Sequence, residues 1–181
     1  CSKQSGSRVR EVKDSRTNTI NHGVFAIFVY MKRILILGRS GSGKTTFSDK
    51  LGRALSRKVV HLDNLFWKPG WVRAFTAAEW ENKVQELITE EEWILDGNYH
   101  NTLEMRLKRA DTVFLFEINP LLSIMQALKR RLFPPTNSPD TVLGLHQEGS
   151  FIMLLKSTFK FPAKKLRRQI KEFGVKNVFV I

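Results

Sequence analysis

From residue 31 onward, short runs of consecutive apolar residues alternate with longer stretches in which apolar positions recur every three or four residues. The run "RILIL" at 33–37 is aliphatic throughout, as strands buried on both faces are. "KVVHLD" at 58–63, "WILD" at 93–96, "DTVFLFEI" at 111–118 and "VKNVFVI" at 175–181 predict four further strands. Between them, Phe47, Leu51 and Leu55 fall on one face of a helix starting near Gly43. A second helix carries Trp80, Val84, Leu87 and Ile88, and opens on the capping box of Thr76 and Glu79. "NTLEMRLKRA" at 101–110 predicts a short helix with Asn101 as cap and Glu104 in its first turn, and Asn119-Pro120 predicts the start of another. Two basic helical stretches, broken at Pro162 and ended by Gly174, precede the fifth strand. Strands alternating with helices predict an α/β fold, a parallel five-stranded sheet with helices on both faces.

Two segments stand outside this alternation. Residues 1–30 are polar and aperiodic up to "VFAIFVY" at 24–30, an apolar run too short to span a bilayer. The expectation is a flexible, upstream extension with Met31 as the natural start and one domain over 31–181; an extra strand at 24–30 is the alternative. Residues 133–150 hold Pro134, Pro135 and Pro139 and have no period, so a functional lid over about 131–165 is expected there.

Charge narrows the partners. The 181 residues include 30 Lys and Arg against 17 Asp and Glu, a formal +13, which favours anionic ligands: nucleotides, phosphorylated metabolites, nucleic acid or acidic lipid. Residues 1–30 supply 5 − 2 = +3 of this, leaving +10 on the remainder. The lone cysteine, Cys1, excludes an intrachain disulfide and a cysteine-based metal site, and a reducing, cytoplasmic setting fits. His22, His61, His100 and His146 have no ligand spacing and read as surface or hydrogen-bonded side chains.

The chemistry is concentrated between the first strand and the first helix. Gly38-Arg39-Ser40-Gly41-Ser42-Gly43-Lys44-Thr45 satisfies G-x-x-x-x-G-K-[ST], the phosphate-binding loop. Gly38, Gly41 and Gly43 permit backbone angles that let successive N–H groups converge on a phosphate, with Ser40, Ser42 and Thr46 completing the cradle. Lys44 places a cation at the β- and γ-phosphates, Thr45 offers a hydroxyl to Mg²⁺, and the helix aims its positive end at the same anion. A GTPase would need N-K-x-D, but the Asn82-Lys83 pair continues as Val-Gln inside a predicted helix.

A small kinase requires this loop, acids and mobile cations. Asp63 and Asp96 each close a predicted strand, at the sheet edge where ligands of open α/β sheets bind, and are candidates for acceptor deprotonation and Mg²⁺ support. Arg130 and Arg131 before the long loop, with Arg167 and Arg168 after it, are candidates to neutralise transferred charge; a solvated basic face is the alternative. Phe66, Trp67 and Trp71 beside Asp63 form either an acceptor wall or packing for the next helix, and Arg73 and Arg106 are available for an anionic group.

"HLDNLFWKPGW", "WILDGNYHNTLEMRLKRADTVFLFEINP" and "FKFPAKKLRRQIKEF", set around this loop, resemble the DNA topology modulation proteins, small adenylate-kinase-like P-loop kinases. The resemblance covers residue 31 to the end and implies a three-layer, nucleoside-monophosphate-kinase-like fold, ATP as donor and Mg²⁺ as cofactor. Asp96-Gly97 is similar to the Asp-Gly pair that lies by metal and acceptor phosphate in adenylate kinases, with Asn98-Tyr99 replacing the usual continuation. On this reading Asp63, Trp67, Trp71, Gly97, Tyr99 and Arg106 face the acceptor. The implied partners are ATP and a small acceptor, with no membrane, in a monomer or homodimer. The alternative is a nucleotide-dependent DNA binder using "KSTFKFPAKKLRRQIK" at 156–171, with no kinase activity.

Overall fold

The computed structural model describes residues 31–68, 72–132, 159 and 161–181, with backbone alone at 127, 130 and 131. The expected extension at 1–30, Trp71 and nearly all of the expected lid lie outside the described residues.

The central strand is β1, Arg33–Gly38, whose apolar residues are buried throughout. It pairs in parallel with β5, Trp93–Asp96, on one side and with β6, Thr112–Phe116, on the other. Outside β5 lies β2, Val59–His61, and outside β6 lies β7, Asn177–Val180, giving a fully parallel sheet of order β2-β5-β1-β6-β7. All five predicted strands are present. Because the chain builds first to one side of β1 and then to the other, the order reverses beside β1, and ligands of open α/β sheets bind at the carboxyl end of such a switch point.

Helices cover the sheet. Helix α1, Lys44–Leu55, follows β1; its Leu51 is buried, and Phe47 packs on Phe114 and Phe116 at centroid distances of 4.9 and 5.2 Å. The Thr76–Glu79 capping box forms as expected at the start of α3, Ala77–Thr89. That helix buries Trp80, Val84 and Ile88 against Leu35, Leu37 and Leu95 in the main core. Asn119 Oδ1 accepts from the Leu121 amide at 2.9 Å, so it caps α5, Pro120–Leu132, as expected. Helix α6, Ala163–Glu172, follows Pro162 and buries Leu166 and Ile170; Gly174, at φ 62°, turns the chain out of it toward β7. Among the described residues, no helix is long and apolar enough to cross a membrane.

The structure corrects two local expectations. The second strand ends at His61, and residues Leu62–Phe66 form a short helix, α2, so Asp63 sits in a helical first turn and not at a strand end. A two-stranded antiparallel hairpin follows, β3 Trp67–Lys68 with β4 Val72–Arg73, pairing Trp67 with Arg73. Asn101 does not cap a helix. His100–Thr102 form a 3₁₀ turn leading into α4, Leu103–Arg109, because the Thr102 amide and hydroxyl are both committed to the Tyr99 carbonyl at 3.1 and 3.2 Å.

Candidate active site

The phosphate-binding motif occupies the turn from β1 to α1, at the carboxyl end of β1. Gly38 has φ 148°, and a Cβ there would lie 2.5 Å from the Phe116 carbonyl oxygen, so the position admits glycine alone. Gly41 and Gly43 follow at φ 75° and 86°, and Gly43 is the residue from which α1 springs. No side chain caps α1 and its first turn carries no acid, unlike the boxed start of α3. The amides of that turn are therefore open to an anion, and the helix dipole favours one. Lys44 is half-buried, its Nζ donating to the Arg39 carbonyl at 2.6 Å, while the Arg39 guanidinium lies over the Phe161 ring at 5.2 Å. Ser40 and Thr45 are half-buried, Thr46 is exposed, and Ser42 has a buried hydroxyl with no hydrogen-bond partner among the described residues.

Asp96 closes β5 directly beside this turn and is 6% exposed. Its Oδ2 lies 3.1 Å from His61 Nδ1, and His61 Nε2 lies 3.0 Å from Asp49 Oδ1 on α1. His61 and Asp96 are register partners on adjacent strands, which puts the two side chains together. Burial is the largest influence on the imidazole and lowers its pKa, but Asp96 and then Asp49 together outweigh it, and the net shift is upward. Ser48 Oγ joins the group: it lies 2.8 Å from the Thr45 carbonyl, to which it donates, and 3.4 Å from Asp96 Oδ2.

The residue types fit Mg²⁺: the Thr45 hydroxyl and the Asp96 carboxylate are hard oxygen donors, and Ser48 Oγ, 2.8 Å from the Thr45 carbonyl and 3.4 Å from Asp96 Oδ2, lies between their two elements. Among the described residues there is no group of three or more His, Cys, Asp or Glu that could hold a metal ion.

Beyond Asp96 the chain makes a closely held loop. Gly97 has φ 143° and its amide donates to the Ile36 carbonyl at 3.2 Å. The Asn98 side chain grips Gly38 twice: its Nδ2 donates to the Gly38 carbonyl at 2.8 Å and its Oδ1 accepts from the Gly38 amide at 3.0 Å. Tyr99 is held at φ 27° and ψ 77°, a strained conformation for a residue with a side chain. Its hydroxyl donates to Asp63 Oδ1 at 2.7 Å. Burial first, then the Asp63 charge, push the phenol pKa well up, so the proton stays on the tyrosine.

Arg106 lies beneath this loop and does not reach an acceptor. It is 0% exposed, and it donates from Nη1 to the Gly97 carbonyl at 2.8 Å and from Nη2 to those of Asn98 and Tyr99 at 2.5 and 2.9 Å. Its Nε donates to the Thr102 carbonyl at 3.3 Å. Burial pulls its pKa down to about 9, so at neutral pH the guanidinium remains charged. The placing of Arg106 at an acceptor's anionic group is thus corrected: its donors serve backbone carbonyls.

The remaining candidates divide. Asp63 is exposed, Trp67 is half-buried beside it, and Arg73 is exposed on the strand opposite Trp67. Arg167 forms a two-bond pair with Glu117, Nε to Oε1 and Nη2 to Oε2, each 2.6 Å, and Arg168 is exposed. The backbones of Arg130 and Arg131 belong to the last turn of α5. Sequence reasoning did not single out Asp49, Ser48, His61 or Asn98. The signal for His61 was its place two residues before Asp63 at a strand end; its partnership with Asp96 needs the strand order.

No protein-family model matches the chain, and no curated protein matches it. Solved structures with a similar outline include a shikimate kinase from Acinetobacter baumannii in complex with shikimate, at 17% identity over 83% of this chain and 99% of that one, with a TM-score of 0.46. A shikimate kinase from Bacteroides thetaiotaomicron is 17% identical over 83% of this chain and 86% of that one, with a TM-score of 0.45. A gluconokinase from Sinorhizobium meliloti is 13% identical over 77% of this chain and 98% of that one, with a TM-score of 0.44.

Proposed function

We propose that this chain is an ATP- and Mg²⁺-dependent kinase that moves the γ-phosphoryl group of ATP to a nucleotide or other small-molecule acceptor. The observation that carries the reading is the convergence at one sheet edge of an uncapped, acid-free helix start behind G-x-x-x-x-G-K-T with the Asp96 carboxylate beside it. The resemblance to the DNA topology modulation family is the finer part of this reading and agrees with it.

In this scheme Lys44 and the amides of 38–46 bind the phosphates, and Thr45 and Asp96 hold Mg²⁺. Mg²⁺ supplies charge neutralisation of the phosphate oxygens when bound. Asp63 accepts the acceptor's hydroxyl proton as that oxygen bonds to the γ-phosphorus and ADP leaves. Arg130, Arg131 and Arg167 serve the transferred charge, with Arg167 exchanging its bond to Glu117 for one to phosphate. Trp67, Trp71, Gly97 and Tyr99 border the acceptor. Residues 1–30 form an extension outside the kinase domain, and the lid spans about 131–165.

The test is ADP formation measured across nucleoside monophosphates, nucleosides and sugars, with and without Mg²⁺. The expected result is acceptor-dependent, Mg²⁺-dependent ADP; none with any acceptor would contradict the assignment. Removing Mg²⁺ with a chelator is expected to stop turnover and return it on re-addition.

A further inference from the structure

The segment 97–99 touches both halves of the proposed site at once. Asn98 holds Gly38, the first residue of the phosphate-binding loop, by two bonds of 2.8 and 3.0 Å. The next residue, Tyr99, holds the Asp63 carboxylate by a 2.7 Å bond. Both peptide carbonyls, with that of Gly97, end on the Arg106 guanidinium, which is 0% exposed.

A buried guanidinium that spends its donors on backbone carbonyls costs desolvation and gains no acid partner. The strained backbone of Tyr99 costs more. Such features persist where the surrounding structure over-determines a geometry, and here the geometry that results aims two side chains in different directions. An amide that both donates to and accepts from one glycine continues the β1–β5 pairing past Gly97 with side-chain atoms, and so sets where the loop begins. A phenol that keeps its proton can only donate to Asp63, and so sets which way that carboxylate faces.

We propose that Asn98 and Tyr99 are positioning residues with divided roles: Asn98 sets the nucleotide-binding loop through Gly38, Tyr99 sets the Asp63 carboxylate for the acceptor, and Arg106 fixes the backbone that carries both. The Tyr99 half rests on the kinase reading. The Asn98 half rests on nucleotide binding alone.

The experiment compares Asn98→Asp, Tyr99→Phe and Arg106→Lys by calorimetric titration with ADP and by steady-state kinetics. Asn98→Asp keeps the acceptor for the Gly38 amide and turns the donor into an oxygen facing a carbonyl. It is expected to weaken ADP binding and raise KM for ATP about 10-fold or more, the loss of one partly buried hydrogen bond at a binding site, with kcat falling less than KM rises. Tyr99→Phe is expected to lower kcat about 10-fold while ADP affinity changes by less than about 2-fold. Arg106→Lys, which cannot fork across three carbonyls, is expected to move both quantities. Should Asn98→Asp fail to fold, Asn98→Ser removes the same grip with less disturbance.

An Asn98 variant that binds ADP as the wild type does overturns the first half. A Tyr99→Phe protein that loses ADP affinity as Asn98→Asp does, or keeps full kcat, overturns the second. Absence of turnover with every acceptor overturns the kinase reading and the Tyr99 half with it, while the ADP titrations still decide Asn98.

Discussion

His61 shows how a residue with no motif around it takes its role from its neighbours. Both ring nitrogens face carboxylates, Asp96 at 3.1 Å and Asp49 at 3.0 Å, and these outweigh the burial that alone would lower its pKa. A raised folded-state pKa means that the imidazolium contributes stability fully present below its unfolded value near 6.5 and lost as pH rises through the folded value. Unfolding of wild type and His61→Gln, followed from about pH 5.5 to 8.5, tests this. The wild-type advantage is expected to shrink as pH rises, and a constant difference would contradict it. Arg106 teaches the complementary lesson. The sequence offers Arg106 to an anionic group of the acceptor, whereas its burial is a tertiary outcome, visible only once three carbonyls converge on it.

At the scale of elements, the pattern was legible wherever it was long enough to repeat. Continuous apolar runs marked all five strands, and the Thr76–Glu79 box marked the start of α3 because its chemistry is entirely local. Removing it therefore has a local cost: Thr76→Ala is expected to destabilise the protein by about 1 kcal/mol, roughly 2–4 °C in Tm, with ADP formation unchanged. Thermal unfolding checks it, and an unshifted Tm would show the cap to be dispensable. By contrast, α2 and the β3–β4 hairpin span five, two and two residues, too few for any period to register, so Asp63 was expected at a strand end. The loop 97–99 was missed as a positioning device for a related reason. Gly38 and Asp63 are distant from it in sequence and meet it only in the fold, and Arg106, though close in sequence, carries no pattern that marks it as buried.

At the scale of the whole molecule, the parallel order β2-β5-β1-β6-β7 places the ends of β1, β2 and β5 along one edge, and with them Gly38, His61 and Asp96. The G-x-x-x-x-G-K-T motif was legible because its residues are consecutive, and the structure sets it in the turn from β1 to α1. The proposed roles of Asp63, Asp96 and the arginines draw on residues from separate elements, and the sequence names those residues without arranging them. A formal charge of +13 and an open helix start favour the same class of ligand, an anion. The most direct measurement of the central claim is acceptor-dependent ADP production by wild type and Lys44→Ala side by side, each verified as folded by its thermal transition. The account expects turnover in the wild type and a loss of about 100-fold or more in the variant, as for removal of a charged group on a transferring phosphoryl. Wild-type-like turnover by Lys44→Ala would contradict it.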